Sequence, residues 1–562
     1  MEVCHNFPHL SNRWKPGIIL PVPKRALHHK AGAVVETTVV IRRNTQDPVY
    51  WNELRVVDED LEYLGNLLVE REIPLSLDEL ARALVAFRCQ QEEERIAREL
   101  AYGTLYLPKN TYQVGETIVF PALEYAKAQV VGVREGHNPE YGTFQVIQVE
   151  FPNGRVREFA SDLVDHPLNE MLRTDPADLR SPEGLYAEYG PQVRAVLNAR
   201  LEAEPAFIRL AGQWFLKDLL VEINAGQLNL AEAVLDMAGG GPLPTEALID
   251  DLDLPKEIDL QLGVFSLNYA LQEDGRFDEV GPAGEVLWYL RRLQPPEVLD
   301  PPARLLPRVL EYDHRLLDET MLNLERWLDD EWSDLVAPPE VEGLATVILT
   351  YPHRRSGTLP LSPRLAKVFP TGRTHRIRFI FRDGVTGEEM AGWVVRERRF
   401  VYGLLGWYER YEVPVGAYLE VERAEEPGVV IVRRRPTRPR REWVRVATVE
   451  EGRLTFEMTP FPLSCEYDEL MVVAAEDFSS LDEVEVRASA KQLALEDVIA
   501  EIFPELAKLS PQGTVHAATL YSAVNVAMRT PPGPVLAMLV LDDRYVSMGD
   551  NYWVARSRGM GF

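Results

Sequence analysis

The sequence predicts an α+β multidomain protein in which winged-helix-like modules recur beside small β-barrels. Three observations lead there. At 562 residues the chain is too long for one ordinary hydrophobic core, so several domains are expected. Segments with helical spacing of apolar residues alternate with short period-two strands that end in glycine turns. An otherwise acidic chain also holds one strongly basic stretch, residues 353–445, with twenty Lys and Arg against eleven Asp and Glu. Its balance of +9 sits in a chain of net charge −28, so the remainder carries −37.

Composition bounds the class. A hydrophobic content of 46% and a charged content of 26% are those of a soluble globular protein. The three cysteines, Cys4, Cys89 and Cys465, are a sparse, odd set and imply a reducing compartment. The first ten residues, MEVCHNFPHL, lack a signal pattern, and no 18-residue apolar run exists. A cytoplasmic protein with no membrane partner is expected. Glutamate and arginine far outnumber lysine, and prolines number 41, a composition expected of a thermophile with rigid loops.

Taken in order, residues 1–58 are an N-terminal extension in which VVETTVVIRR (34–43) predicts a strand. Cys4, His5 and His9 are potential metal ligands, but no second cluster completes a tetrahedral site, so neither metal nor cofactor is expected. Residues 59–120 change character. DLEYLGNLLVERE (60–72) and the long run 75–103 predict helices, the second capped by Ser76 with Glu79 and striped by Leu77, Leu80, Leu84 and Phe87. TLYLPKNTYQVGETIVF (104–120), turning at Lys109-Asn110, predicts two short strands. Helices followed by a hairpin describe a winged-helix-like module; a helix pair beside the following barrel satisfies the same pattern.

Residues 121–170 alternate as strands, with a hairpin signal at Asn153-Gly154. With 112–120 they suffice for a five-stranded SH3-like barrel. Residues 171–212 form a helical connector. Residues 213–295 predict a winged-helix-like module: one helix is stopped by Gly239 to Gly241, Thr245 is placed as a cap, and GRFDEVGPAGEVLWYL closes it. The connector 296–345 contains HRLLDETMLNLERWLDDEW (314–332), expected as one long acidic helix packing through Leu316, Leu317, Met321, Leu324 and Trp327. Residues 446–486 hold a hairpin turning at Glu451-Gly452, and 487–562 form a last winged-helix-like module. There LDDRYVSMGDNYWVA matches QEDGRFDEVGPAGEVLWYL: an acidic residue, then Arg276-Phe277 or Arg544-Tyr545, a turn, and Trp288 or Trp553. This is an internal repeat, of which 105–114 carries only the strand–turn–strand part.

The basic barrel, 346–445, carries the candidate site. In RIRFIFRD, Arg376, Arg378 and Arg382 share one strand face with Ile380, while Ile377, Phe379 and Phe381 share the other. Arg373, Arg396, Arg398 and Arg399 flank that strand and its partner. PTRPRR (436–441) adds Arg438, Arg440 and Arg441, as a basic strap onto a phosphate backbone or as a stiff linker. Such a cluster suits a polyanion, and arginine also offers a bidentate fork to guanine edges; a local excess on a solvated sheet has the same composition.

Two resemblances follow from these motifs. LPLSPRLAKVFP (359–370), RIRFIFRDGVTGEEMAGWVV (376–395), YGLLGWYERYEVPVGAYLEVE (402–422) and VVIVRRR (429–435) together resemble the DNA-binding pseudobarrel of the plant B3 type. Gly406-Trp407 matches that family's Gly-Trp segment, whereas Gly416 is followed by Ala417 and not by Asp. The resemblance implies two arms at one barrel end, with Arg373, Arg376 and Arg396 to Arg399 on them, reading duplex DNA. DGRFDEVG and DDRYVSMGDNYWV resemble the wing of the HARE winged helix, found in the delta subunit of bacterial RNA polymerase and in nuclease fusions. That implies nucleic-acid or polymerase interaction. The predicted helices of these modules are acidic, however, which suits a protein partner better than a DNA groove.

No GxxxxGK, GxGxxG, HExxH, CxxC or GxSxG motif occurs, and no catalytic residue is assigned. The expected function is a DNA-binding scaffold, transcription- or defence-associated, with duplex DNA as partner. The alternatives are a protein-interaction scaffold and a nuclease or nuclease accessory subunit of unfamiliar chemistry.

Overall fold

The computed structural model describes residues 43–556 apart from 101–102, 121–122, 124–125, 172–179, 253, 256–257, 310 and 336–342. The group Cys4, His5 and His9 and nearly all of the strand expected at 34–43 lie outside the described residues. The architecture is α+β with several separate sheets. The chain divides into two compact units, one of Met1–Leu54 with Val85–Gln192, the other of Arg55–Leu84 with Val193–Phe562.

The first unit is built on a five-stranded sheet in sequence order, Thr104–Leu105, Thr117–Phe120, Ala126–Asn138, Gly142–Glu150 and Val156–Ser161. Tyr106, Tyr112, Ile118, Phe120, Val130, Ile147 and Val149 form its core. The turn at Asn153-Gly154 is present, with Gly154 at φ 73°. The hairpin expected at 104–120 is not. Thr104–Leu105 pairs parallel to Thr117–Phe120. The reason lies in Tyr112, whose hydroxyl accepts from Leu107 N at 2.6 Å and contacts the carbonyls of Leu105 and Leu107. It satisfies the backbone groups that an antiparallel neighbour would have taken.

The second unit contains one topology three times: helix, strand, helix, helix, strand, strand, with the last strand central in a three-stranded sheet. The middle copy runs Ala225–Met237, Leu243–Pro244, Thr245–Ile249, Leu260–Glu273, Phe277–Glu279 and Leu287–Leu290. The last runs Leu495–Ala507, Thr514–His516, Ala517–Ala527, Pro532–Leu541, Tyr545–Gly549 and Tyr552–Ala555. The first copy is not where the pattern 59–120 placed it. Asp58–Arg71, Leu75–Ser76 and the start of Leu77–Leu100 are completed by the end of Pro182–Glu202 and by Phe207–Leu210 and Gln213–Leu216. The first unit is therefore inserted between the second and third helices of this copy.

Register ties the copies together. Trp214 pairs with Leu75, Trp288 with Leu243 and Trp553 with Val515, so each central strand sets one buried indole opposite an aliphatic residue of the first strand. Arg276 and Arg544 are equivalent as expected. Each bonds the aspartate two residues earlier, Asp274 or Asp542, and reaches a glutamate on the first helix, Glu232 at 2.6 Å or Glu496 at 3.1 Å. Each guanidinium lies over the next ring, Phe277 or Tyr545. Ser76 and Glu79 form the expected reciprocal cap. Thr245 does not cap; its hydroxyl donates to Asn268 Oδ1 at 2.5 Å. Gly239 to Gly241 all have positive φ and stop the helix, and a Cβ on Gly241 would lie 2.5 Å from the Trp288 carbonyl oxygen.

Between the second and third copies lies a seven-stranded sheet, Leu344–Ile348, Tyr418–Arg423, Val429–Arg434, Arg376–Asp383, Glu389–Val395, Phe400–Tyr402 and Thr358–Pro360, shaped as a partial barrel. Only the pair Arg376–Asp383 with Val429–Arg434 is parallel. Ile377, Phe379 and Phe381 point into the core, as their alternation predicts. Asp383 fixes the turn that follows by accepting from Val385 N and Thr386 N, and it also accepts from Trp407 Nε1 at 2.9 Å.

The segment 436–441 is neither strap nor linker. It opens a two-stranded ribbon, Pro436–Glu450 with Arg453–Cys465, that extends the expected hairpin at Glu451-Gly452. The long acidic helix is also shorter than expected. Glu319–Leu328 is capped by Asp318 and ends at Asp329 with φ 48°. It packs through Leu317, Met321, Leu324 and Leu328 on the last copy, and Trp327 is exposed. Among the described residues no single helix is long and apolar enough to cross a membrane; the bent pair Ala517–Ala527 and Pro532–Leu541 passes by length and composition only and is core.

Candidate functional site

The ten candidate arginines do not share one face. The parallel pairing carries Val429–Arg434 toward the Asp383 end of its neighbour, so the ribbon starts at the opposite end of the sheet from Arg376 and Val395. Eight residues of strand separate the two ends, about 23 Å.

At the Arg376 end, Arg373, Arg376, Arg396, Arg398 and Arg399 come together: Arg376 pairs with Val395, and Arg396 N donates to His375 O. This end is not open. The segment after Phe277–Glu279 docks on it, with Arg378 N donating to Val280 O and Ala283 N to Thr371 O. Val280 is buried with Trp393, Val395 and Phe400. The side chains are correspondingly engaged. Arg376 bonds Asp278 at 2.8 Å, Arg373 lies 3.5 Å from Glu279, Arg396 donates to Gly372 O and Arg399 to Glu331 O. Arg378, expected exposed, is half-buried over the Trp393 ring, where burial disfavours its charge. Arg398 alone of this group is exposed and without a partner among the described residues. At the other end, Arg382 is bound by Glu389 and Glu426. The basic excess of the barrel is largely neutralised internally: Arg410 pairs with Glu388, Arg433 with Glu422 and Arg435 with Glu420.

The ribbon differs. Arg440 pairs with Glu442, but exposed Arg438 and Arg441 have no ion-pair or hydrogen-bond partner among the described residues. Val444 and Val446 turn inward onto Leu463, Val472 and Ala474. Arg445, on the same strand face as Trp443, is covered by the segment 469–472, donating to the carbonyls of Glu469, Leu470 and Val472, and burial lowers its pKa to about 10. The outer face is left with Arg441 opposite Pro462 and Trp443 opposite Pro460. Trp443 is 68% exposed. Trp443 was not among the residues expected at the site. The signal was present, because period-two alternation in EWVRVATV puts Trp443 outward once Val444 and Val446 are inward.

A third cluster, also unforeseen, is buried. Arg529, Asp330, Glu331 and His353 have side chains only 3%, 1%, 2% and 2% exposed. Arg529 Nη2 reaches both oxygens of Asp330 at 2.8 Å and Glu331 Oε1 at 2.7 Å. Tyr521 donates to Asp330 at 2.6 Å, and His353 lies 3.3 Å from Glu331 and 2.8 Å from the Thr358 hydroxyl. Burial raises both carboxyls. For Asp330 it wins over Arg529; for Glu331 the combined pull of Arg529 and His353 wins and holds the pKa at about 2. With side chains 3% exposed or less, the cluster reads as a structural tie between the sheet and the last copy.

Among the described residues no group of three or more His, Cys, Asp or Glu is arranged to hold a metal. Comparison with protein-family models, curated proteins and solved structures finds no match to this chain.

Proposed function

We propose that this chain is a non-catalytic DNA-binding scaffold, made of three winged-helix units, an SH3-like barrel within 104–161 and a B3-like half-barrel within 344–434, whose contact surface is the outer face of the Pro436–Cys465 ribbon. The winged-helix reading rests on the shared element order and on the equivalent Trp214, Trp288 and Trp553. The carrying observation for DNA is the ribbon: on an acidic chain, two exposed arginines, Arg438 and Arg441, without acidic partners among the described residues, precede on one strand an indole that is 68% exposed. Guanidiniums answer phosphates, and an exposed indole offers a stacking surface for a base that has left its helix. The reading therefore favours a single or locally opened strand over intact duplex.

A specific observation favours a protein partner for the winged helices themselves. Their third helices carry no free cation for a groove. Leu260–Glu273 and Pro532–Leu541 contain no Lys or Arg, and Arg194 and Arg200 of Pro182–Glu202 pair with Asp78 and Asp58.

Fluorescence anisotropy with labelled single-stranded and duplex oligonucleotides, at roughly 50 and 200 mM salt, tests the reading. Wild type binds the single strand more tightly. Arg438→Glu with Arg441→Glu abolishes binding at the higher salt, and Trp443→Ala weakens it by about 1–3 kcal/mol. Neutral replacement of each arginine lowers the salt slope by about 0.7. Arg398→Glu, at the other end of the sheet, leaves binding unchanged. Absence of binding at the lower salt refutes the DNA reading; loss through Arg398→Glu alone moves the site to the barrel end.

A further inference from the structure

The nucleic-acid reading makes no use of a cleft at the start of strand Arg376–Asp383. Its volume is about 460 Å³, within the range of roughly 300–1,000 Å³ that holds small ligands. Leu210, Phe277 and Trp288 supply apolar lining, and Arg209, Arg373 and His375 bring positive or proton-accepting groups.

Two neighbouring acid–base pairs line this cleft, and they are built differently. Asp278 is matched in good geometry: its Oδ2 accepts from Arg376 Nη2 at 2.8 Å and from Gln294 Nε2 at 2.8 Å. Glu279 is not. Its side chain is 12% exposed, and its Oε1 is buried without a hydrogen bond. Arg373 stands 3.5 Å away, an ion-pair distance too long for a full hydrogen bond, and is itself 45% exposed. An acceptor left open in a partly buried site is costly unless something supplies its donor. On the same wall Asp278 meets its arginine at 2.8 Å, whereas Glu279 meets Arg373 only at 3.5 Å.

We infer that the cleft binds a small ampholyte: an ammonium or amino group that donates to Glu279 Oε1, joined to a carboxylate or phosphate that meets Arg373 and Arg209. This site is independent of the ribbon and of whether the chain binds DNA. Free α-amino acids and the mononucleotides whose base bears an exocyclic amino group both carry that pair of groups, and the two classes are the arms of the test.

The experiment uses the full chain, with isothermal titration calorimetry and thermal-shift measurement against the twenty amino acids in one arm and AMP, CMP and GMP in the other. One arm is expected to bind with a Kd of about 1 mM or tighter and to raise the unfolding midpoint. Glu279→Gln keeps the shape, replaces one carboxylate oxygen by a donor, and weakens binding at least about tenfold; Arg373→Met does the same from the anion side. Arg398→Glu, outside the cleft lining, leaves the affinity unchanged, and all three variants keep the wild-type circular dichroism spectrum. Binding by neither arm at about 10 mM, or binding that survives both cleft substitutions, overturns the inference. Neither result bears on DNA binding by the ribbon, which the anisotropy assay reads separately.

Discussion

Replacing Arg529 by methionine is the sharpest test of how the second unit is held together. The substitution keeps much of the side-chain volume and removes the guanidinium that bonds the Asp330 and Glu331 carboxylates. Four hydrogen bonds disappear: two to Asp330, one to Glu331 and one to Asn525. The carboxylates that remain are 1% and 2% exposed, so water cannot replace the guanidinium. Breaking a buried pair from one side costs about 3–5 kcal/mol, most of it the uncompensated charge left behind. The triple variant Arg529→Met, Asp330→Asn, Glu331→Gln removes that charge and should regain more than half of the loss, a non-additivity expected of one network. Because two compact units need not unfold together, hydrogen exchange of the Ala517–Ala527 backbone amides is the readout, alongside urea unfolding. Protection falling by two to three orders of magnitude in the single variant, at about 1.4 kcal/mol per tenfold, and recovering in the triple one, is the expected result. A single variant within about 1 kcal/mol of wild type refutes the view that the network ties these elements.

Other outcomes follow from the same geometry. Trp214→Ala should cost about 3–5 kcal/mol and unfold the first copy, as Trp288→Ala does the second, because all three indoles are core residues of equivalent sheets; a mild effect at Trp214 alone breaks the equivalence. Arg276→Ala and Arg544→Ala should each change stability by less than about 1 kcal/mol, since both ion pairs are substantially exposed; urea midpoints check this. Asp482 accepts from Arg304 and Arg355 at 2.6 Å and from Tyr351 at 2.9 Å; burial opposes its ionisation, but these partners prevail and lower its pKa. Its contribution is therefore present above the unfolded value near 3.9 and lost as pH falls below it, so Asp482→Asn should flatten the acid limb of a stability–pH profile. Gly357→Ala should destabilise the sheet, because φ is 64° and the added carbon would lie 2.4 Å from Leu405 Cβ; thermal unfolding reads it.

Much of the fold was legible because its signals are local. The inward face of RIRFIFRD, the turns at Asn153-Gly154 and Glu451-Gly452, and the Ser76 with Glu79 cap each depend on residues a few positions apart. The match between Arg276-Phe277 and Arg544-Tyr545 was also legible, since two complete copies lie uninterrupted in sequence. The first copy was misplaced for a physical reason. Its first strand at Leu75 and its central strand at Trp214 are adjacent in space, yet the whole of Val85–Gln192 intervenes. A search for a hairpin soon after the helices then seized on 104–120, where Tyr112 holds a different arrangement.

The site shows why a charge count is a weaker guide than a pairing pattern. The basic stretch was read from its excess of arginine, but a strand face that alternates cation and apolar residue places each arginine beside the neighbouring strands, and those strands bring acids: Glu389 and Glu426 to Arg382, Glu422 to Arg433, Glu420 to Arg435. Such pairs carry little stability at the surface, but they screen the field a polyanion would feel. What remains available is decided by where acids are missing, and that depends on registry between strands tens of residues apart. Arg441 faces Pro462, which has no carboxylate, and Arg438 lies in the register shift between Pro436 and Arg440, so neither side chain has a partner among the described residues. The same argument singles out Glu279. Its neighbour Asp278 is matched by Arg376 in good geometry, and it is the mismatch at 3.5 Å from Arg373, not the number of charges, that marks the cleft as a place where a ligand has something to complete.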